Sequence, residues 1–322
     1  MTPPGPPRLR TTFDAAKLTP ADRGAVVSVG VFDGVHLGHQ AILRANVARA
    51  VELGAEPTVV TFRRHPKHVL LGRAPRALTT LEHRLERFRR AGIQHAVALN
   101  FDGELRSQSA AEFAQRLLVE GLDARHLVLG FDSKFGKDRE GTPDRLRELG
   151  FQVDVVGQVL VAKRPVSSTA IREAVELGDL VGAEAMLGRP VALLGRVVHG
   201  DARGRQLGFP TANLNPLHEL HPPPGVYACR ASRLERASDR GSAPRLEAVT
   251  HIGPRPTVDG EAGETRIEVH LLDFEGDLYG AHLEVEFVAQ LRGPQRFPDL
   301  EALKAQIGRD VAAARAALSG SA

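Results

Sequence analysis

Ala25-Val-Val-Ser-Val-Gly30-Val-Phe-Asp-Gly34-Val-His36-Leu-Gly38-His39-Gln40 begins as a short apolar run, turns at glycines and enters a helical pattern. Residues 25–31 read as a strand covered on both faces, since a brief apolar run ended by glycine suits the interior of a parallel sheet. Over 37–53 the apolar residues Ile42, Leu43, Val47 and Val51 recur on roughly one helical face. Strand, turn and helix in this order make the first half of a βαβ unit. The alternation continues, with strands expected at 57–62, 94–99, 127–130 and 151–156. Helices are expected at 80–90, where Leu81, Leu85 and Phe88 share a face, at 110–118 behind a Ser109 cap, and at 143–149 with proline in the first turn. This order predicts an α/β domain whose parallel sheet carries helices on both faces.

The second half has a different grammar. Two short helices, 168–178 and 180–187, meet at Gly178-Asp179. From Pro190 the runs are short and extended, at 191–198, 225–231, 246–252, 266–274 and 282–288, with Gly/Pro/Asp turns between them. They predict a mainly β antiparallel barrel or sandwich. The polar stretch 233–245 reads as a long exposed loop. A last helix, 300–318, would pack on the β-structure through Leu303, Ile307, Val311 and Leu318. The domains are drawn as 1–188 and 189–322, a division that suits a chain of 322 residues.

Hydrophobic residues at 42% and charged residues at 25% are ordinary for a globular chain, which sets aside wholesale disorder. The single cysteine, Cys229, excludes an intrachain disulfide and a cysteine zinc cage. No apolar run approaches the roughly 18 residues of a membrane span, and the proline-rich start has no signal-like apolar segment. The expected location is the cytoplasm, with no membrane partner. The formal charge is only +3, no run of five Lys or Arg occurs and Trp is absent, so no nucleic-acid partner is expected. Phosphorylated small molecules are an equally good reason to carry arginine. Oligomeric state is left open, a homo-oligomer included.

Neither common nucleotide loop is present. Gly130-Phe-Asp-Ser-Lys-Phe-Gly136-Lys137-Asp138 has one residue too many between its glycines for a Walker loop and no hydroxyl after the lysine. Gly30-Val-Phe-Asp-Gly34 is not G-x-G-x-x-G. Instead, Gly34 and Gly38 permit close backbone approach, with Gly38 leaving room for phosphates between the histidines. His36 and His39 stand at the expected start of a helix, where free N–H groups and the dipole favour an anion. Two imidazoles there can donate to phosphate oxygens. Two histidines beside a turn are the plain alternative, and a metal pair is disfavoured because H-E-x-x-H is not formed.

Val166-Ser-Ser168-Thr169-Ala-Ile-Arg172 offers hydroxyls and N–H groups at a helix start with a guanidinium one turn on. It reads either as an ordinary cap or as a phosphate clamp. Gly195-Arg-Val-Val-His-Gly200-Asp-Ala-Arg-Gly204-Arg-Gln-Leu-Gly208-Phe-Pro-Thr211-Ala-Asn213-Leu214 contains a glycine-rich, basic loop able to wrap phosphates. Alternation in Ile267-Glu268-Val269-His270-Leu271 puts Glu268 and His270 on one strand face.

Strand followed by H-x-G-H resembles the nucleotidyltransferase superfamily, and the longer Gly30-to-Gln40 string resembles the bifunctional bacterial riboflavin kinase/FAD synthetase family. Gly130-Phe-Asp132, the Val166-to-Arg172 string and the Gly195-to-Leu214 string resemble the same family in its domain order. So do Pro224-Gly-Val-Tyr-Ala228, Ile252-Gly-Pro-Arg-Pro-Thr257 and Leu271-Leu-Asp-Phe274. The resemblance implies an α/β nucleotidyltransferase-like sheet domain, then a riboflavin kinase-like barrel with a C-terminal helix. It implies two ATP-dependent reactions: riboflavin is phosphorylated to FMN, and FMN is adenylylated to FAD with release of pyrophosphate. His36, His39 and Arg172 would then neutralise charge during adenylyl transfer. Gly34, Gly38, Ser168 and Thr169 would hold ATP, and Asp132 would act on the flavin. In the kinase, Glu268 would be the general base and Gly200, Gly204 and Gly208 would line ATP. Thr211 and Asn213 would hold Mg²⁺, and Arg292 would contact flavin.

Three departures from the family pattern stand out. Thr61-Phe-Arg63-Arg64-His-Pro66 replaces Thr-Phe-Asp-Pro-His-Pro, Asp132-Ser133-Lys-Phe-Gly136 replaces Asp-Phe-Arg-Phe-Gly, and Gly293-Pro-Gln295 follows Arg292 where a Glu is usual. The alternative expectation is therefore a monofunctional riboflavin kinase with a degenerate adenylyltransferase domain. A non-catalytic flavin or nucleic-acid binder is the remoter one.

Overall fold

Six strands of the first half lie side by side in the computed structural model, which describes residues 8–200, 204, 207–216, 220–234, 244–254 and 265–320. They are β1 (Arg10–Thr12), β2 (Ala25–Val29), β3 (Glu56–Phe62), β4 (His95–Leu99), β5 (Ala124–Gly130) and β6 (Val153–Val156), in the spatial order β1-β4-β3-β2-β5-β6. Every pairing is parallel, as the strand–helix alternation predicts. Both faces are covered. Val60, Phe62, Val97 and Leu99 join one buried cluster, while their neighbours Val59 and Ala96 join another with Leu43, Phe88 and Ile93. By compactness the chain divides into Met1–Ser168 and Thr169–Ala322.

Helix α1 spans Leu37–Leu53, bounded by His36 as N-cap and Gly54 in the left-handed conformation at φ 63°. Its inner face differs from the apolar count. Val51 is 77% exposed, whereas Leu43, Asn46 and Ala50 are buried. Asn46 lies on the inner face, where its amide donates to the Val26 and Thr58 carbonyls and the Ser28 hydroxyl, at 3.0–3.1 Å. Those groups lie where α1 packs on β2 and β3, so this turn of α1 must carry a donor there. The short helices α2 (Lys67–Leu71) and α4 (Gly103–Ser107) were not expected, nor was β1. Strand β1 is polar and is held by tertiary contacts: buried His95 stands 2.9 Å from the Thr12 hydroxyl and 3.1 Å from the Arg10 guanidinium. Helices α3 (Leu81–Arg90) and α6 (Pro143–Glu148) match expectation. The helix capped by Ser109, α5 (Ala110–Phe113), continues in a wider winding over Ala114–Glu120.

After a small hairpin, β7 (Leu160–Val161) and β8 (Arg164–Pro165), come α7 (Ser168–Glu176) and α8 (Leu180–Leu187). The remaining strands are β9 (Val191–Val198), β10 (Ala212–Pro216), β11 (Gly225–Leu234), β12 (Leu246–Pro254), β13 (Thr265–Leu271) and β14 (His282–Arg292). They close as β10-β13-β12-β11-β14-β9. The barrel-or-sandwich alternative resolves as a barrel because β9 pairs with both β10 and β14. Strand β10 falls inside the string read as a loop, and β13 ends at Leu271, short of the expected 274. Helix α9 (Leu300–Ser319) packs Val311, Ala314 and Leu318 against Val226, Val249 and Leu272; Leu303 and Ile307 are only half-buried. Most of the expected 233–245 loop lies outside the described residues, as do 201–203, 205–206 and 255–257.

Candidate active sites

In the N-terminal unit the chain leaves the sheet on opposite sides of one pair of strands. From β2 it moves through β3 to β4, and from β5 it moves the other way to β6. The gap between β2 and β5 is thus a topological switch point, and crevices for ligands form there at the carboxyl ends of the strands. The two loops that leave those ends are 30–36 and 131–136, the same two that carry the histidine pair and the Gly-Phe-Asp motif.

The first loop is tightly wound. Phe32, Gly34 and Val35 all have left-handed φ, at 54°, 83° and 42°. For Phe and Val this conformation is strained and persists only where surrounding structure enforces it. Three contacts do so. The buried Asp33 carboxylate accepts from the Leu78 and Thr79 N–H groups at 3.0–3.1 Å, and Thr79 Oγ1 accepts from Gly34 N–H at 3.0 Å. Phe32 packs edge-on against Phe88, with centroids 5.5 Å apart. Arg84 lies behind the loop, 5% exposed, and its guanidinium donates to the Val31 and Phe62 carbonyls at 2.6 and 2.8 Å. Burial lowers its pKa, an effect partly offset by the charges of Asp33 and Glu82. Sequence reasoning missed Arg84 and Thr79, because each looks like an ordinary polar residue near the start of a helix.

His36 is 7% exposed, and its Nδ1 accepts from His39 N–H at 3.4 Å. A neutral His36 therefore carries its proton on Nε2, as a donor. The His36 and His39 rings stack with centroids 3.6 Å apart, and Phe32 meets His39 edge-on at 5.1 Å. A Cβ at Gly38 would come within 3.2 Å of the His36 ring, so the room Gly38 leaves is taken up by that imidazole. Ser168, at the head of α7, donates its hydroxyl to the Asp33 carbonyl at 2.9 Å and so ties that helix start to the loop. Thr169 is exposed and Arg172 half-buried, one helical turn beyond Ser168. Asp132 and Phe131 are both exposed at the end of β5, a carboxylate beside an open aromatic face.

In the barrel, Ile267, Val269 and Leu271 point inward, which leaves Glu268 and His270 on the outer wall. Asn213 on β10 lies directly opposite Glu268 on β13, and Glu268 in turn lies opposite His251 on β12. Directly opposed residues share a face, with Cβ atoms about 4.5–5.5 Å apart. The Glu268 carboxylate is 3.5 Å from Arg266 and 3.7 Å from His251. His270 Nδ1 donates to the Pro210 carbonyl at 2.7 Å and its ring meets Phe209 edge-on, which anchors the chain just before Thr211.

Gly200 and Gly204 lie against the same place. A Cβ at Gly200 would collide with the Asn213 amide, and one at Gly204 would collide with the Phe209 carbonyl and lie 3.0 Å from Thr211 Oγ1. Gly208 adopts φ 86° at the end of that loop. Thr211 and Asn213 offer hard, neutral oxygens of the kind Mg²⁺ takes, while waters and substrate phosphates complete its shell. Arg292 is not brought to this cluster. Its guanidinium grips buried Asp310 of α9 through two bonds of 2.9–3.0 Å and lies over Phe297. In the barrel order, β14 is separated from β13 by β11 and β12.

A family model for FAD synthetase matches residues 18–170, and one for riboflavin kinase matches residues 187–318. A Pseudomonas fluorescens protein described as bifunctional riboflavin kinase/FMN adenylyltransferase is 44% identical over 95% of this chain and 96% of its own. The chain belongs to the bifunctional riboflavin kinase/FMN adenylyltransferase family. Members of that family with the same description, from Escherichia coli K12 and Bacillus subtilis, are 38% and 34% identical over 91% and 89% of this chain and 92% and 90% of theirs. A crystal structure described as a macrolide-efflux protein from Streptococcus pneumoniae superposes with a TM-score of 0.81 at 30% identity, over 95% of this chain and 98% of that one. Among the described residues, no helix is long and apolar enough to cross a membrane.

Proposed function

We propose that this chain phosphorylates riboflavin to FMN with ATP, and then adenylylates FMN with a second ATP to give FAD and pyrophosphate. The observation that carries the reading is the cross-strand pairing of Asn213 with Glu268 beneath a glycine loop, in a chain that also holds a stacked histidine pair at a switch point. We assign the adenylyltransferase to 1–188 and the kinase to 189–322, and a cytoplasmic setting fits the lone buried Cys229.

In the kinase, Glu268 accepts the proton of the ribityl hydroxyl as its oxygen attacks the γ-phosphorus, and ADP leaves. A positioned base of this kind contributes about 10²–10⁴-fold. The Gly200, Gly204 and Gly208 loop wraps the ATP phosphates with backbone N–H groups. Thr211 and Asn213 would hold Mg²⁺, which neutralises phosphate charge when bound. The carboxylate's neighbours Arg266 and His251 hold Glu268 directed along the outer wall. Arg292, through Asp310, acts on flavin only by holding α9 against β14.

In the adenylyltransferase, an FMN phosphate oxygen attacks the α-phosphorus of ATP in line and pyrophosphate departs. No covalent intermediate forms, so the residues position groups and neutralise charge. His36 Nε2–H and His39 donate to the phosphates at the α1 N-terminus, with Arg172 as a further cation. Gly34 and Gly38 shape the loop, Ser168 fastens it, Thr169 supplies a hydroxyl for phosphate, and Asp132 meets the flavin beside Phe131. The test is product analysis with riboflavin and FMN as separate substrates. FAD from both supports the reading, FMN alone from riboflavin leaves only the kinase, and ATP turnover in neither overturns it.

A further inference from the structure

Between β3 and α3 the chain runs through Arg63-Arg64-His-Pro-Lys67-His-Val-Leu-Leu-Gly-Arg73-Ala-Pro-Arg76, five full positive charges with no Asp or Glu among them. All five are exposed. Several other arginines of this unit are neutralised locally: Arg49 by Asp154, Arg89 and Arg90 by Glu86, Arg125 by Asp123. Among the described residues Arg63, Arg64, Lys67 and Arg73 have no carboxylate partner. Arg63 instead rests over the ring of Phe13, 5.4 Å from its centroid.

Both ends of the segment are anchored beside the nucleotide loop. Arg63 N–H donates to the Leu99 carbonyl at 2.8 Å, immediately after β3, the strand that pairs with β2. The far end closes on the loop itself, where Leu78 and Thr79 N–H groups bond the Asp33 carboxylate. A run of unneutralised charge is thus strung along the carboxyl edge of the sheet and clasped to the turn that carries His36. A rim of one sign at the mouth of a crevice focuses field lines and raises the local concentration of opposite charge.

We propose that residues 63–76 form a phosphate-gathering strap, a surface site that captures the phosphate groups of ATP or FMN and delivers them to the histidine pair. This rests on the adenylyltransferase reading. It assigns a purpose to the substitution of a family carboxylate by Arg63: the strap recruits anions rather than marking a degenerate site.

The test compares the full-length protein with its Arg63→Gln/Arg64→Gln/Lys67→Gln/Arg73→Gln variant. FMN adenylylation is measured as kcat/KM for ATP and for FMN separately, from about 0.05 to 0.5 M KCl, a range over which the screening length shrinks severalfold. The parent should lose efficiency steeply with salt. The variant should start at least about tenfold lower and show a flatter salt dependence, as expected when steering is removed. Loss confined to ATP identifies the triphosphate as the captured group, and loss confined to FMN identifies the monoester. Riboflavin phosphorylation by the same preparation should be unchanged, and urea unfolding followed in the sheet unit should keep the parent midpoint, which excludes unfolding of that unit. Equal kcat/KM and equal salt slopes in the two proteins overturn the strap. If the parent makes no FAD at all, the adenylyltransferase reading falls, and the strap is judged by pyrophosphate binding in a calorimeter. Binding weakened about tenfold in the variant upholds it, and unchanged binding refutes it.

Discussion

Replacing Gly200 by alanine isolates the role assigned to Asn213. The backbone at Gly200 is outside the left-handed region, so an alanine fits it, and the added Cβ meets only the Asn213 amide. That amide is the free end of a side chain, and it can turn away. Turning it off its preferred rotamer costs about 0.5–1.5 kcal/mol. Losing a glycine from the unfolded chain returns about 0.4–1 kcal/mol. The two nearly cancel, and Tm should stay within a few degrees of the parent, since 1 kcal/mol moves a domain of this size by roughly 2–4 °C.

Metal binding has no such compensation. Losing a group that merely orients a ligand weakens it about 10–100-fold, or roughly 1.4–2.7 kcal/mol, and a displaced ligand should cost at least as much. Kinase rates measured against Mg²⁺ should therefore show half-saturation shifted upward by at least that factor and recover at high Mg²⁺. FMN adenylylation in the same tube should stay within about twofold of the parent, because Gly200 lies in the other unit. An unshifted Mg²⁺ curve would refute Asn213 as a ligand, and parallel loss of both reactions would refute the local mechanism.

Glu268→Gln should lower riboflavin phosphorylation by about 10²–10⁴-fold while FMN adenylylation persists, and a milder loss would remove Glu268 as the base. Arg84→Met removes a donor from the Phe62 carbonyl, at about 1–3 kcal/mol, and leaves the Val31 carbonyl with the Thr61 hydroxyl as its donor. Urea unfolding followed in the sheet unit should register this, with adenylylation falling before the kinase does, and an unchanged midpoint would show Arg84 to be dispensable. Burial pushes the Cys229 thiol from 9.0 up to about 12 and the Tyr227 hydroxyl from 10.0 up to about 12. The unfolded chain then releases these protons first. Stability present below pH 9 is lost between about pH 9 and 12, at roughly 1.4 kcal/mol per unit for the thiol alone. Denaturant midpoints measured across that range should fall, and a Cys229→Ala variant should fall less steeply.

Residues whose partners are close in sequence were the legible ones. The bounds of α1 and α8 are readable because their caps are local: His36 and Gly54 for one, Asp179 and Gly188 for the other. The barrel strands announce themselves through alternation and turn residues. Strand β10 does not, since Ala212-Asn-Leu-Asn-Pro216 has little β-propensity and becomes a strand only by pairing with β9 and β13. The site suffers the same blindness to distance. Asp33 and Thr79 are 46 residues apart, and nothing local to Leu78-Thr79 shows that their N–H groups hold the nucleotide loop. The pairing of Arg292 with buried Asp310 on α9 is likewise invisible in the sequence. Val51 fails for another reason: the inner face of α1 runs through Leu43, Asn46 and Ala50 and leaves it exposed.

The two units meet the same demand, the stabilisation of crowded phosphate charge, with the means that their topologies supply. A parallel sheet brings strand ends and helix starts to one edge, so free N–H groups and dipoles already favour an anion there. To this edge the N-terminal unit adds imidazoles, at the α1 start, and no carboxylate is required among them. An antiparallel barrel has no such edge, because its strand dipoles alternate and nearly cancel. Positive charge must come from elsewhere, and the outer wall offers the Thr211 and Asn213 oxygens beside the Arg266 guanidinium. With a divalent ion held as proposed, a carboxylate would be tolerable there, and Glu268 faces Asn213 across one strand pair. The same Glu placed beside His36 would cancel the field that the helix start creates, so the sheet unit keeps its nearest carboxylate, Asp33, turned away and saturated by Leu78 and Thr79.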